Sequence, residues 1–143
     1  MKDLSIIFPC FNEAESIERI ISSIEKTITE KSINVEFILV DNGSTDSTPI
    51  ILNKILTSDS SIFFKQIRIE KNIGYGHGIM EGVRVAEGEI IAWTHADMQT
   101  NPVDVLEAHR TFVNNPEYPN CILKGRRVGR NLFDTIFTLG MSL

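Results

Sequence analysis

The stretch VEFILVDNGSTDST, residues 35–48, decides the fold. Its first six residues form a short apolar run of strand length, and Asp41-Asn42-Gly43-Ser44 then turns the chain polar. Asn-Gly is strong turn chemistry. A helix is expected to begin around Ser47 to Pro49, where proline suits the first helical position, and to run to about Thr57. Strand, polar loop and helix follow one another within about two dozen residues.

The same alternation extends outward in both directions. LSIIF (4–8), IFFKQIRI (62–69), EIIAWT (89–94) and CILKG (121–125) are the other strand candidates. Residues 13–30 place Ile17, Ile20, Ile21, Ile24 and Ile28 on one helical face, and Asn12 with Glu15 three positions later has the form of a capping box. A third helix is expected over 76–87. A fourth opens at NPVD, with Asn101 as cap, Pro102 in the first turn and Asp104 set favourably against the helix dipole. The alternation implies an α/β, Rossmann-like domain: a mainly parallel sheet flanked by helices, with ligands bound outside the carboxyl ends of the strands.

Length and composition agree with a single domain. The chain has 143 residues, 42% hydrophobic and 23% charged, as expected of a globular protein rather than a disordered one. A net charge of −5 argues against a nucleic-acid partner, because affinity for a phosphate backbone comes from clustered Lys and Arg. Cys10 and Cys121 sit in apolar runs far apart, which reads as two buried thiols in a reducing, cytoplasmic setting rather than a disulfide framework. The run before Pro9 is too short for a signal peptide or a membrane span.

The loops after the strands are the informative parts. PCFNEAE (9–15), VDNGSTDST (40–48), EKNIGYGHG (70–78) and HADMQTNP (95–102) supply Glu13, Asp41, Asp46, Asn72, Asp97 and Gln99 to one edge of the sheet. Each also has a purely structural reading. Asp41 to Ser44 serves equally as a turn, Asn12 and Glu13 as a cap, and a glycine cluster at 74, 76, 78 and 82 more often marks a tight turn and a thin helix face than a phosphate cradle. A dinucleotide fingerprint fails in detail, since Ile79 stands where its third glycine belongs and the first strand-to-helix turn has no glycine. No P-loop sequence occurs either.

Taken together and in order, IIFPCFNEAESI, FILVDNGSTDST, EKNIGYGHGIMEGVRVAEGEII and AWTHADMQTNP resemble the N-terminal half of a family 2 glycosyltransferase with the GT-A fold. Within that family the chain looks most like the polyprenyl-phosphate branch, to which the dolichol-phosphate-mannose synthases belong. The resemblance implies that Pro9, Phe11 and Glu13 line a nucleoside pocket, that Asp41 hydrogen-bonds the base with Asn42 beside it, and that Asn72, Gly74 and Gly76 border the nucleotide sugar. It implies that Ala96 and Asp97 face the donor, a UDP- or GDP-sugar, and that Asp97 and Gln99 hold a divalent cation, Mg²⁺ or Mn²⁺, on the diphosphate. His95 stands in place of the family's first metal-loop Asp.

If the chain stays extended past the strand, alternation brings His95, Asp97 and Gln99 to one side, and an imidazole suits Mn²⁺ better than Mg²⁺. A histidine simply hydrogen-bonded near the strand end is an equal reading of His95. Trp93 reads as core, His77 as either a diphosphate neighbour or a solvated loop residue, and His109 as surface or packing.

The implied reaction is transfer of the sugar with inversion in one displacement, to a polyprenyl phosphate or a cell-envelope glycan precursor. A phosphate acceptor is already ionised and demands no strong base. The resemblance also associates Arg127, in the cluster Lys124, Arg126, Arg127 and Arg130, with the acceptor side, where a guanidinium suits phosphate. The cluster reads equally as a solvated loop or as a contact for an anionic membrane surface at its cytoplasmic face. The apolar run from Phe133 to Leu143 has no cap or polar tail, so the domain over 1–143 reads as cut short, with a helix suited to homodimer or lipid contact. The alternative to an active transferase is a catalytically incomplete nucleotide-sugar-binding or interaction module.

Overall fold

A computed structural model describes residues 2–28, 33–57, 63–98, 100–101, 103–117 and 120–125. Strands and helices alternate along it: β1 (Lys2–Cys10), α1 (Ala14–Ile28), β2 (Val35–Asn42), α2 (Thr48–Leu56), β3 (Phe64–Ile69), α3 (Tyr75–Val85), β4 (Gly88–Trp93) and α4 (Val103–Val113). The four strands form one sheet in the order β3-β2-β1-β4, and every pairing is parallel. Because sequence neighbours β1 and β2 are also sheet neighbours while β4 returns to the far side of β1, the strand order reverses beside β1. That reversal opens a crevice at the carboxyl ends.

The central strands read as continuous apolar runs because both of their faces are covered. On one face Leu4, Ile6 and Phe8 of β1 and Phe37 and Leu39 of β2 pack with Ile17, Ile20, Ile21 and Ile24 of α1, Leu52 and Ile55 of α2 and Leu106 of α4. Burying each such side chain stabilises the fold by roughly 1.5–3 kcal/mol relative to leaving it in water. On the other face Ile7, Ile38 and Val40 pack with Ile67, Ile69, Val83 and Ala86. Here α3 lies directly on β1 and β2. A methyl group added at Gly82 would come within 2.5 Å of Ile7 Cγ2, so this helix face must be thin.

At its amino-terminal end the sheet is tied by a buried polar network. Glu36, 2% exposed, accepts hydrogen bonds from the Ser5 hydroxyl and from the Glu87 amide, and pairs with Lys65 at 2.8 Å. Burial pushes the Glu36 carboxyl upward, but the bonds from Lys65, Ser5 and Glu87 outweigh it and hold the group below its ordinary value.

Three expectations are corrected. Trp93 is not core but about half exposed: β4 pairs only with β1 among the described residues, and alternation sends Ile91 and Trp93 to the α3 face beyond the cover that α3 gives. Residues 121–125 form no strand, and Ile122 is solvent-exposed; no described residue offers them a ladder partner. Asn12 is not the cap of α1. Its φ of 57° puts it in the left-handed region that asparagine tolerates, its side chain accepts from the Thr45 amide, and Glu13 takes the capping place, its carbonyl receiving the Ser16 and Ile17 amides. By contrast Asn101 caps α4 as expected, accepting from the Val103 amide at 3.1 Å. Both cysteines are free, Cys10 buried and Cys121 only partly so.

Candidate active site

The carboxyl ends of the strands carry the loops that the sequence singles out, and those loops are stitched to one another. The Asn12 amide donates to Ser44 Oγ at 3.0 Å, the Glu13 amide to Thr48 Oγ1 at 2.8 Å and the Ala14 amide to Asp46 Oδ2 at 3.3 Å. Thus the amides leading into α1 are satisfied by the loop after β2 and the first residue of α2. Burial raises Asp46, but its bonds from the Thr48 hydroxyl and from backbone amides outweigh this and lower its carboxyl. The next loop docks through Gly43, whose φ is +74° and whose place a side chain could not take: a methyl group there would lie 2.6 Å from the Asn72 nitrogen. Close backbone approach at Gly43 therefore fixes where Asn72 stands.

Between these loops is a cavity of about 190 Å³ lined by Pro9, Cys10, Phe11, Asn42, Asn72 and Tyr75. Its size suits one ring system, being below the roughly 300–1,000 Å³ of pockets that enclose a whole ligand. Of the expected nucleoside-site residues, Pro9, Phe11, Asn42 and Asn72 meet here. Asn42 is 3% exposed; its Nδ2 donates to Gly74 O at 3.0 Å and to Asn72 Oδ1 at 3.3 Å, while its Oδ1 has no partner. Asn72 Oδ1 also accepts from the Gly74 amide, so Gly74 is tied through its backbone to two residues of the cavity wall. Beside it, Gly76 faces open space.

Two expected residues stand apart from the cavity wall. Asp41 is wholly buried, one oxygen accepting from the Ser44 amide at 2.9 Å and the other closed on the Arg68 guanidinium. Glu13 directs its carboxylate to the Ser16 hydroxyl. That hydroxyl also lies 2.7 Å from the carbonyl oxygen of Ala96, which is buried, and so ties α1 to the loop after β4. Arg68, Ser16 and Tyr75 were not singled out by sequence reasoning. Arg68 is one of three polar residues in β3, with Lys65 and Gln66, so its charge alone did not mark it, and its partner became visible only through the Asp41↔Arg68 register.

The loop expected to hold a cation does not remain extended. β4 stops at Trp93, and the chain bends through 96–98 with Met98 at φ 59°. What relates His95 to the cavity is Tyr75: the two rings stack with centroids 5.1 Å apart and planes 12° apart. Burial first, and then the negative charge of Asp97, raise the Tyr75 hydroxyl above its ordinary value. Gln99, Arg126, Arg127 and Arg130 lie outside the described residues, as does the apolar run 133–143. His77 lies 3.5 Å from Glu81 along α3, and His109 is half-buried on α4, its imidazole lowered by burial.

Among the described residues no group of three or more His, Cys, Asp and Glu side chains gathers. An imidazole and a carboxylate are ligand types that a first-row cation accepts, but they form no self-sufficient metal centre among the described residues. Nor is any helix among these residues long and apolar enough to cross a membrane.

This parallel sheet flanked by helices has the architecture of the GT-A fold. The chain belongs to glycosyl transferase family 2, whose model matches residues 5–135. It is 28% identical over 103 residues to the dodecaprenyl-phosphate galacturonate synthase of Rhizobium johnstonii, covering 72% of this chain and 30% of that protein. It is 29% identical over 106 residues to the undecaprenyl-phosphate 4-deoxy-4-formamido-L-arabinose transferase of Aeromonas hydrophila, covering 73% and 32% respectively. Among solved structures, a mannosyltransferase from Pyrobaculum calidifontis in complex with GDP-Man and Mn²⁺ superposes with a TM-score of 0.65 at 25% identity, covering 81% of this chain and 35% of that one. S. aureus TarS 1–349 in complex with UDP-GlcNAc gives 0.62 at 25% identity, covering 78% and 31%. The chain therefore spans about a third of the length of the curated relatives it matches.

Proposed function

We propose that this chain forms the donor-binding part of a metal-dependent, inverting glycosyltransferase that takes a UDP- or GDP-sugar and serves a polyprenyl-phosphate acceptor at the cytoplasmic face of a membrane. The observation that carries the reading is Asn42: a buried side chain in the cavity wall, with its donor nitrogen engaged and its acceptor oxygen left without a partner. An unsatisfied buried acceptor costs about 1–3 kcal/mol, which a ligand N–H or O–H would recover. The names of the relatives, two of them polyprenyl-phosphate transferases, support the acceptor class.

In this reading Phe11 and Tyr75 cover the faces of the base, Pro9 closes the floor, and Asn42 and Asn72 orient the nucleoside. His95 and Asp97, with Gln99, would hold the cation on the diphosphate, where it would supply Lewis-acid stabilisation of the charge that develops on the leaving group. An acceptor phosphate oxygen attacks the anomeric carbon as the bond to the diphosphate oxygen breaks, so configuration inverts and no enzyme nucleophile is consumed. Arg127 would meet the acceptor phosphate.

Isothermal titration of UDP, GDP and their sugar conjugates, with and without Mn²⁺, tests the proposal. Metal-enhanced binding of one nucleotide, weakened in Asp97→Ala and in Asn42→Ala, is the expected result. A folded chain that binds none of them would sink it.

A further inference from the structure

Tyr75 occupies a place that neither the nucleoside cavity nor the metal loop accounts for alone. It is the first residue of α3, it lines the cavity with Phe11 and Asn42, and its ring lies flat on the His95 imidazole. Both rings are exposed at the surface, Tyr75 by 42%, so core packing does not force them together. Gly74 precedes Tyr75 with φ +128°, a left-handed conformation at the entry to α3. His95 itself follows the end of β4, and its neighbour Ala96 is held through its carbonyl by Ser16. The backbone of the metal loop is thus anchored by α1, whereas the His95 side chain finds its ring partner in α3.

We propose that Tyr75 is a positioning residue of the donor site: stacked on His95 and lining the nucleoside cavity, it holds the imidazole in place, so that cation retention depends on an aromatic ring at position 75. The proposal rests on the donor-site reading. It adds a direction of coupling. A nucleoside in the cavity restrains the Tyr75 ring, the restrained ring restrains His95, and a pre-set imidazole loses less freedom when the cation arrives. Nucleoside and cation therefore favour each other's binding through Tyr75 as well as through the shared diphosphate.

The experiment compares wild type with Tyr75→Leu and Tyr75→Phe in the intact chain. Proton NMR of the His95 ring reports the stack directly, since a face-on tyrosine shifts those signals upfield. Titration of Mn²⁺ into the protein saturated with UDP or GDP reports retention of the cation. Tyr75→Leu is expected to lose the upfield shift and to weaken Mn²⁺ binding by about 10-fold, in the range seen when groups orienting a ligand are removed. Tyr75→Phe is expected to restore both. A folded Tyr75→Leu variant with unchanged His95 signals, or with unchanged Mn²⁺ affinity, overturns the proposal. Wild type that binds nucleotide but no Mn²⁺ overturns it while sparing the cavity as a nucleoside site, and wild type that binds neither overturns both readings.

Discussion

Asp41 and Arg68 face each other in the β2–β3 register, and the wholly buried side chain of Asp41 closes on the guanidinium of an arginine whose side chain is 48% exposed. The pair joins the floor of the crevice to its edge. Removing Arg68 would leave a buried carboxylate with the Ser44 amide as its remaining bond. For fully buried pairs such a loss costs about 3–5 kcal/mol; because Arg68 is half in water, about 1–2 kcal/mol is expected here. Urea denaturation of Arg68→Leu should show that loss, and Arg68→Lys should recover part of it.

Two glycines on α3 should respond in opposite directions. At Gly82 a methyl group meets Ile7, a side chain without exposed surface, at 2.5 Å, so Gly82→Ala forces α3 from β1 at about 1–3 kcal/mol. At Gly76 nothing lies within 4 Å, and Gly76→Ala should stabilise the helix by up to about 1 kcal/mol. Thermal melts of the two variants, read side by side, check both signs.

The Glu36 network predicts an acid-sensitive term in stability. Because the folded-state value of Glu36 lies below its ordinary 4.5, the carboxylate contributes stability that is fully present above that value and is lost as pH falls through the folded value. Lys65 behaves conversely: its value is raised above 10.5 by its bonds to Glu36 and Glu87, which outweigh burial, so its contribution persists below 10.5 and is lost in more alkaline solution. Glu36→Gln should cost about 1–3 kcal/mol at neutral pH. Its stability should also fall less steeply than wild type below pH 4.5, which urea melts across that range would show.

Much of this architecture is legible in the sequence for a simple reason: apolar runs bounded by Asn-Gly, Asn-Pro and glycine clusters announce strands and turns locally. The loops at the carboxyl ends follow from alternation alone, and four of the expected nucleoside-site residues do line one cavity. What escapes are relations that exist only after strands pair. Asn12 looks like a cap until the Thr45 amide claims its side chain, and Arg68 looks like a solvated strand residue until register sets it against Asp41. The Tyr75–His95 stack joins residues 20 apart through a helix start and a strand end, and no local pattern encodes it.

Trp93 provides the last prediction, and it follows from the same limit. In sequence it sits inside an apolar run; in the fold it lies on β4 with Ile91, on the face where α3 gives no cover, and 52% of it is exposed. Surface substitutions away from caps, buried charges and strained backbone usually change stability by less than about 0.5 kcal/mol. Trp93→Ser should therefore melt within that margin of wild type. Since Trp93 is the chain's one tryptophan, its fluorescence reports this position alone. Emission should be red-shifted in the folded protein and readily quenched by iodide; blue-shifted, protected emission together with a Trp93→Ser variant losing several kcal/mol would show that this face is covered in solution.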